Sequence, residues 1–415
     1  MPSSKVVARI AAAVTLLWAG LAGIPHAFGQ TYTVLHNFKT KEGSGPLLGL
    51  VFDSSGNLYG VASGEGASRA GSVFELTPSG STWTEKTLHS FNGGTDGSTP
   101  AGPVIFDSAG NLYGTTKLGG TNGVGVVYEL SKSKTGTWTE SVLHNFGGSM
   151  DGQFPTNALV LDSSGNLYGT TEGGGAHGNG QEITGGTVFK LAKKSGGGWS
   201  ETVLYSFGSG KDGASPRCNL IFDSTGNLYG TTFYGGTYGA GTVFELSPPK
   251  SGSGWAEKVL YNFVFGSYNN GAYPAGGLLF DKSGNLFGTA TTGEPYTQGL
   301  GPGIVFELAP GSGGSWTETT IYTSGLTLLT PSFIYSGLAM DKSGNLYFTD
   351  LAVFGDVVEL QKVYSWDPKT LYNFDGTHGS KPAIGSLTLD SSGNLYGGAQ
   401  SGGANQSGVV FKLTP

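Results

Sequence analysis

Cysteine is all but missing. Cys218 stands alone among 415 residues, so no internal disulfide framework braces the fold, and buried apolar and aromatic side chains must do so instead. Charge is scarce too, at 12% of residues, and no basic run occurs. A formal net charge of −7 without a basic patch excludes a nucleic-acid binder and gains nothing from anionic lipid. Beyond residue 30, no stretch is apolar enough to span a bilayer and no segment reads as a credible helix.

The beginning of the chain differs from the rest. Lys5 and Arg9 precede an apolar stretch from Ile10 to Ile24, and Ala27-Phe28-Gly29 places small residues at the cleavage-defining positions. This reads as a signal peptide over 1–29, short for a membrane span and without a Cys for lipid attachment. Cleavage after Gly29 leaves 30–415 as one domain with 20 basic and 29 acidic residues, a net charge of −9. The expected product is a monomer outside the cytoplasm: secreted, periplasmic or at the cell surface.

Glycine is what the chain has in quantity, 75 residues of 415, which suits many tight turns between short strands. The turns recur. Asp, two small or polar residues, Gly, Asn, Leu and an aromatic begin at Asp53, Asp107, Asp162, Asp223, Asp281, Asp341 and Asp390. The intervals are 54, 55, 61, 58, 60 and 49 residues. One whole unit is visible from Val104 to Phe146. It holds an apolar run ending at Asp107, then Leu112–Thr116, Val126–Leu130 and Trp138–Phe146, all β-branched or aromatic and bounded by turn residues. Four strands repeated seven times make an all-β, seven-bladed β-propeller, and the period is too long for one coil of a β-helix. The ends fit a ring. The last unit stops at Val409–Leu413, its third strand, while Thr31–Phe38 matches the fourth-strand pattern of Thr87–Phe91. The N-terminal strand is therefore expected to complete the last blade, removing exposed edges.

The combination of Leu-His-x-Phe, Asp-Gly-x-x-Pro, Phe-Asp-x-x-Gly-Asn-Leu-Tyr-Gly-Thr-Thr, Gly-Gly-Thr and Val-Phe-Glu-Leu resembles the GloVer tandem-repeat family of exported bacterial proteins. The resemblance covers essentially all of 30–415. It implies an extracellular repeat protein of unassigned activity and carries over no catalytic residues. The Asp-x-x-Gly-Asn-Leu-Tyr core is also similar to the repeat of NHL-type propellers.

Chemistry-bearing residues are weighed against the repeat itself. The Asp-x-x-Gly-Asn phrases read as hairpin loops rather than calcium sites, because the intervening residues are mostly Ser, Ala or Lys. His36, His89 and His144 occupy a fourth-strand position where other units carry Tyr205, Tyr261, Tyr322 and Tyr372, so packing explains them. Trp-x-Glu recurs on the same strand at Trp83, Trp138, Trp199, Trp255 and Trp316, again as blade packing. Four residues before a recurring Pro lie Glu42, Asp96, Asp151, Asp212, Asn270, Thr327 and His378. These are turn residues or, on the functional reading, a polar ring around the channel mouth. Units three, five and six depart from the pattern, with Glu172, His177 and Glu182, with Glu294, Tyr296 and Gln298, and with Leu326–Tyr335 and Asp350–Asp356. Drift in a surface loop accounts for the departures equally well.

Two functions follow. The first is a non-catalytic binding or scaffold propeller that presents one loop face to an extracellular polysaccharide or surface protein. Its ligand candidates are Glu42, Asp96, Asp151, Asp212, Asn270, His378, Glu294, Tyr296 and Asp350. The second is a metal-assisted hydrolase, lactonase or lyase at the channel mouth, with His177, Glu182 and Asp212 as catalytic candidates. No cofactor and no protein metal site is expected, although the second reading leaves room for a divalent cation at the mouth.

Overall fold

The computed structural model describes residues 30–46, 48–64, 66–148, 150–178, 184–251, 254–264, 271–291, 302–327, 330–331, 333–351, 354–363, 365–382 and 385–415. The signal-peptide reading over 1–29 lies outside them, as do Glu182, Asn270, Glu294, Tyr296 and Gln298. Among the described residues the chain is strand and turn, with one 3-10 turn at Ser312–Gly314. Among them no helix is long and apolar enough to cross a membrane.

Each blade begins with the Asp hairpin. In blade one, Asp53 Oδ1 accepts the N–H groups of Ser55 at 2.8 Å and Asn57 at 2.9 Å, while Oδ2 takes the Asn57 amide at 2.8 Å. Gly56 completes the turn at φ 84°. The same backbone bonds form at the six other Asp residues, so each carboxylate is filled by its own turn. The hairpin joins Val51–Phe52 to Leu58–Ala62, followed by Ser72–Ser79 and Thr82–Ser90, all antiparallel. Blade two repeats the plan with Ile105–Phe106, Leu112–Leu118, Val126–Lys132 and Trp138–Asn145. Five more sheets follow in the same order.

Packing between blades closes the circle. Seven apolar clusters each bridge two neighbours: Val73 with Leu130, Val127 with Leu191, Tyr168 with Leu246, Val243 with Leu308, Val305 with Leu360, Val357 with Leu413, and Tyr396 with Leu76. The last cluster joins blade seven to blade one. The fourth strand of blade seven is Thr31–Asn37, which runs antiparallel to Val409–Thr414 with Val34 opposite Phe411. Phe38, just beyond it, is fully buried against Leu58 and Phe74 of blade one. The seven-bladed propeller read from the repeat is the fold of the chain.

The innermost strand is not continuous. In blade two, Ser98–Pro100 and Ile105–Phe106 both pair with Leu112–Leu118, and between them the Ala101 N–H still reaches the Thr115 carbonyl at 3.1 Å before the chain leaves the ladder over 102–104. Blades three and seven repeat the break, between Gly152–Pro155 and Val160–Leu161 and between Ser380–Pro382 and Thr388–Leu389. Before the Pro, the chain adopts a left-handed backbone at Thr99, Phe154, Ser215, Tyr273 and Lys381, with φ between 52° and 60°. That conformation is costly for a non-Gly residue, and its recurrence marks where each unit swings toward the axis.

Candidate functional site in the axial cavity

A cavity of about 330 Å³ opens where the broken strands meet. Residues of all seven blades line it, which puts it on the ring axis. Its wall comes from two positions of the repeat. One follows the recurring Pro and supplies Ala101, Thr156, Arg217 and Ala275, with Tyr335 in the matching place of blade six after Ile334. The other follows the Gly-Thr-Thr phrase and supplies Ser63, Lys117, Glu172 and Phe233. Threonines of that phrase lock the wall by bonding the next blade: Thr115 Oγ1 donates to the Asn157 carbonyl at 3.1 Å, and Thr289 Oγ1 to the Ser336 carbonyl at 2.8 Å. Glycine is needed where neighbouring segments nearly touch, since a Cβ at Gly102 would lie 2.2 Å from the Asn157 carbonyl carbon.

Charge gathers on one side. Glu172 is 4% exposed and is held between two cations from the flanking blades. Lys117 Nζ lies 3.1 Å from Oε2, and Arg217 Nε lies 2.9 Å from Oε1. The Arg217 N–H is not aligned to bond that oxygen, and among the described residues no acceptor takes a hydrogen bond from the guanidinium. Its plane instead rests 4.6 Å from the Phe233 ring centre and 5.9 Å from Tyr234. Phe233 stacks on Tyr273 at 5.0 Å, and Tyr234 meets Tyr273 edge-on at 5.4 Å. Burial pushes the Tyr335 phenol up, Arg217 pulls it down and Tyr234 raises it, so Tyr335 stands within the field of the same group. Neutral hydrogen-bonding side chains complete the wall at Thr99, Thr156, Asn157, Asn219 and Ser386.

The carboxylates expected around the channel mouth do not line this cavity. They fasten the end of a fourth strand to the loop that follows it. Glu42 bonds the His36 ring and the Lys39 amide, both at 3.0 Å. Asp96 accepts the Asn92 amide at 2.9 Å and lies 3.5 Å from His89. Asp151 takes the His144 ring at 3.1 Å and the Gly147 amide at 3.0 Å. Asp212 receives Tyr205, Ser209 and Gly210. His378 is exposed and pairs with Asp375 at 2.7 Å. The fourth-strand His rings also sit edge-on over the Phe two residues later, as His144 does over Phe146 at 4.7 Å. His177 is exposed and shares a shallow groove with Asp151, Glu201 and Tyr205, away from the axis. Asp350 is buried opposite Asp356, whose carboxyl is pushed up to about 6 by burial and then by Asp350. Among the described residues no three His, Cys, Asp or Glu side chains gather as metal ligands would.

Sequence reasoning singled out Glu172 as part of a lengthened loop and Tyr335 at the end of the unit-six departure but missed Lys117, Arg217 and Phe233. The signal was there in another form. At the position after the Gly-Thr-Thr phrase the units read Ser63, Lys117, Glu172, Phe233, Thr291, Leu351 and Gln400, without repetition. Packing would have kept such a position uniform.

Comparison with known proteins places the chain. A 6-phosphogluconolactonase of provisional assignment from Bacteroides uniformis ATCC 8492 is similar at 11% identity, over 78% of this chain and 84% of that one, with a TM-score of 0.49. A provisionally assigned oxidoreductase (glucose dehydrogenase) from Thermus thermophilus is similar at 14% identity, over 93% and 100%, with a TM-score of 0.46. An ulvan lyase of polysaccharide lyase family PL25 is similar at 10% identity, over 71% and 78%, with a TM-score of 0.43. No curated protein sequence matches. Residues 25–184 and 179–356 match the Gloeobacter/Verrucomicrobia repeat, and the chain belongs to that repeat family.

Proposed function

We propose that this protein is an exported, non-catalytic binding propeller that holds a small polar ligand, or the end of a longer one, in its axial cavity. The observation that carries the reading is the convergence of non-repeating side chains on one cavity in an otherwise repetitive molecule. A volume of about 330 Å³ suits a ligand of one or two sugar rings. The wall sets aromatic side chains, Phe233 and Tyr335, beside polar groups, the usual make-up of a saccharide-sized pocket. Glu172 is the cavity's one described carboxylate, and two cations hold it. The two-carboxylate arrangement of a glycoside hydrolase would need a second one there. The basic start, apolar stretch and small residues of 1–29 support export, and an extracellular polysaccharide is the partner class that fits.

The test is a glycan array probed with the native protein and with Ala275→Trp, which fills the cavity from a residue on its wall. The native protein should retain a saccharide, and the filled variant should lose it while keeping its β-sheet circular dichroism. Retention by both proteins, or by neither, would sink the reading.

A further inference from the structure

The ligand class can be narrowed by the electrostatics of the cavity, an inference that rests on the binding role just proposed. In a chain with a net charge of −7, the described residues of the wall carry two cations, Lys117 and Arg217, against one carboxylate. The excess is positive. It is also placed where a ligand would feel it, since the Lys117 and Arg217 side chains are 25% and 28% exposed while that of Glu172 is 5% exposed. The guanidinium carbon lies over the Phe233 ring, 4.6 Å from its centre, and Nε lies 2.9 Å from Glu172 Oε1, so the group is held from two sides. It nonetheless makes no protein hydrogen bond among the described residues. Arginine presents a rigid fork of donors that matches a carboxylate in two-point contact. Beside it Phe233 and Tyr335 add aromatic surface to the same wall, suited to contact with the C–H groups of a sugar ring. Thr99, Thr156 and Asn157 add neutral hydrogen-bonding groups that suit sugar hydroxyls. We infer that the axial cavity recognises a carboxylate-bearing sugar residue, with Arg217 as the carboxylate anchor and Lys117 as the second cation. Glu172 acts as a positioning residue that holds the two cations apart.

Isothermal titration with D-glucuronate, a tetragalacturonate and D-glucose reads this out. The native protein should bind glucuronate at least about tenfold more tightly than glucose, because the charge-assisted contact is absent from the neutral sugar. Arg217→Gln keeps much of the side-chain bulk and should lower glucuronate affinity about tenfold or more, with glucose affinity within about twofold. Lys117→Gln should shift selectivity in the same direction. Tetragalacturonate separates the sources: binding at one site per chain supports recognition of a chain end, and binding of free glucuronate alone supports a free sugar acid. Equal affinity for glucuronate and glucose overturns the acidic-sugar inference and leaves the binding role standing. Failure of every sugar, together with an array on which Ala275→Trp changes nothing, overturns both. A selectivity unchanged in Arg217→Gln also overturns the inference, whatever the native affinity.

Discussion

At the scale of single residues, the repeat is a set of matched pairs. Gly60 faces Phe74 across the second and third strands, and a Cβ there would lie 2.6 Å from the ring. Gly169 with Phe189, Gly230 with Phe244, Gly288 with Phe306 and Gly397 with Phe411 keep the same arrangement. Blade six inverts it, with Phe348 opposite Val358, so the ring fills the same space from the other strand. The glycine of this phrase is therefore a packing residue rather than a turn residue. Gly230→Ala would set a methyl 2.6 Å from Phe244 and 2.7 Å from the buried Cys218 sulfur. Urea unfolding should show a loss of about 1–3 kcal/mol, the usual effect of overpacking a full core.

At the scale of the strand, the outermost element carries the Trp-x-Glu pattern and reaches back over the preceding blade. Trp138 packs 6.4 Å from Tyr59, Trp199 6.1 Å from Tyr113 and Trp255 6.5 Å from Tyr168. The Glu two residues on is drawn into the same seam. Burial raises the carboxyls of Glu140, Glu201 and Glu257 to about 7, with a further rise from Asp96, Asp151 and Asp212 respectively, and each buries an oxygen without a hydrogen bond. His144 opposes the rise at Glu201. An acid with a raised folded-state value keeps its proton where the unfolded chain has released it. Its contribution to stability therefore declines between pH 4.5 and about 7 and is level above that. Glu201→Gln removes the decline. At pH 8 it should be more stable than the native protein by about 1 kcal/mol, a figure discounted for partial exposure, and at pH 4.5 the two should match in urea unfolding.

At the scale of the whole molecule, the ring was legible because repetition and the complementary ends left little freedom. Seven copies of Asp-x-x-Gly-Asn-Leu, and an opening strand that supplies what the last unit lacks, dictate a closed circle. The site was less legible. Which positions face the axis depends on the break in the innermost strand, and two-residue strands such as Ile105–Phe106 give no alternating pattern to read. Departures in loop length drew attention to His177 and Asp350. The departures that converge are single substitutions at fixed positions, Arg217 where other units have Ala101, Thr156 or Ala275, and Lys117 beside Glu172. The carboxylates of the Asp-Gly loops, by contrast, repeat because each fastens a strand end. Axis against rim is thus the central distinction. Amide hydrogen exchange with and without saturating D-glucuronate tests it most directly. The ligand should slow exchange in 99–103, 156–158, 217–219, 275–277 and 335–337, one segment from each of five blades. Slowing confined to 147–152 and 207–213, the loops that hold Asp151 and Asp212, would contradict the account.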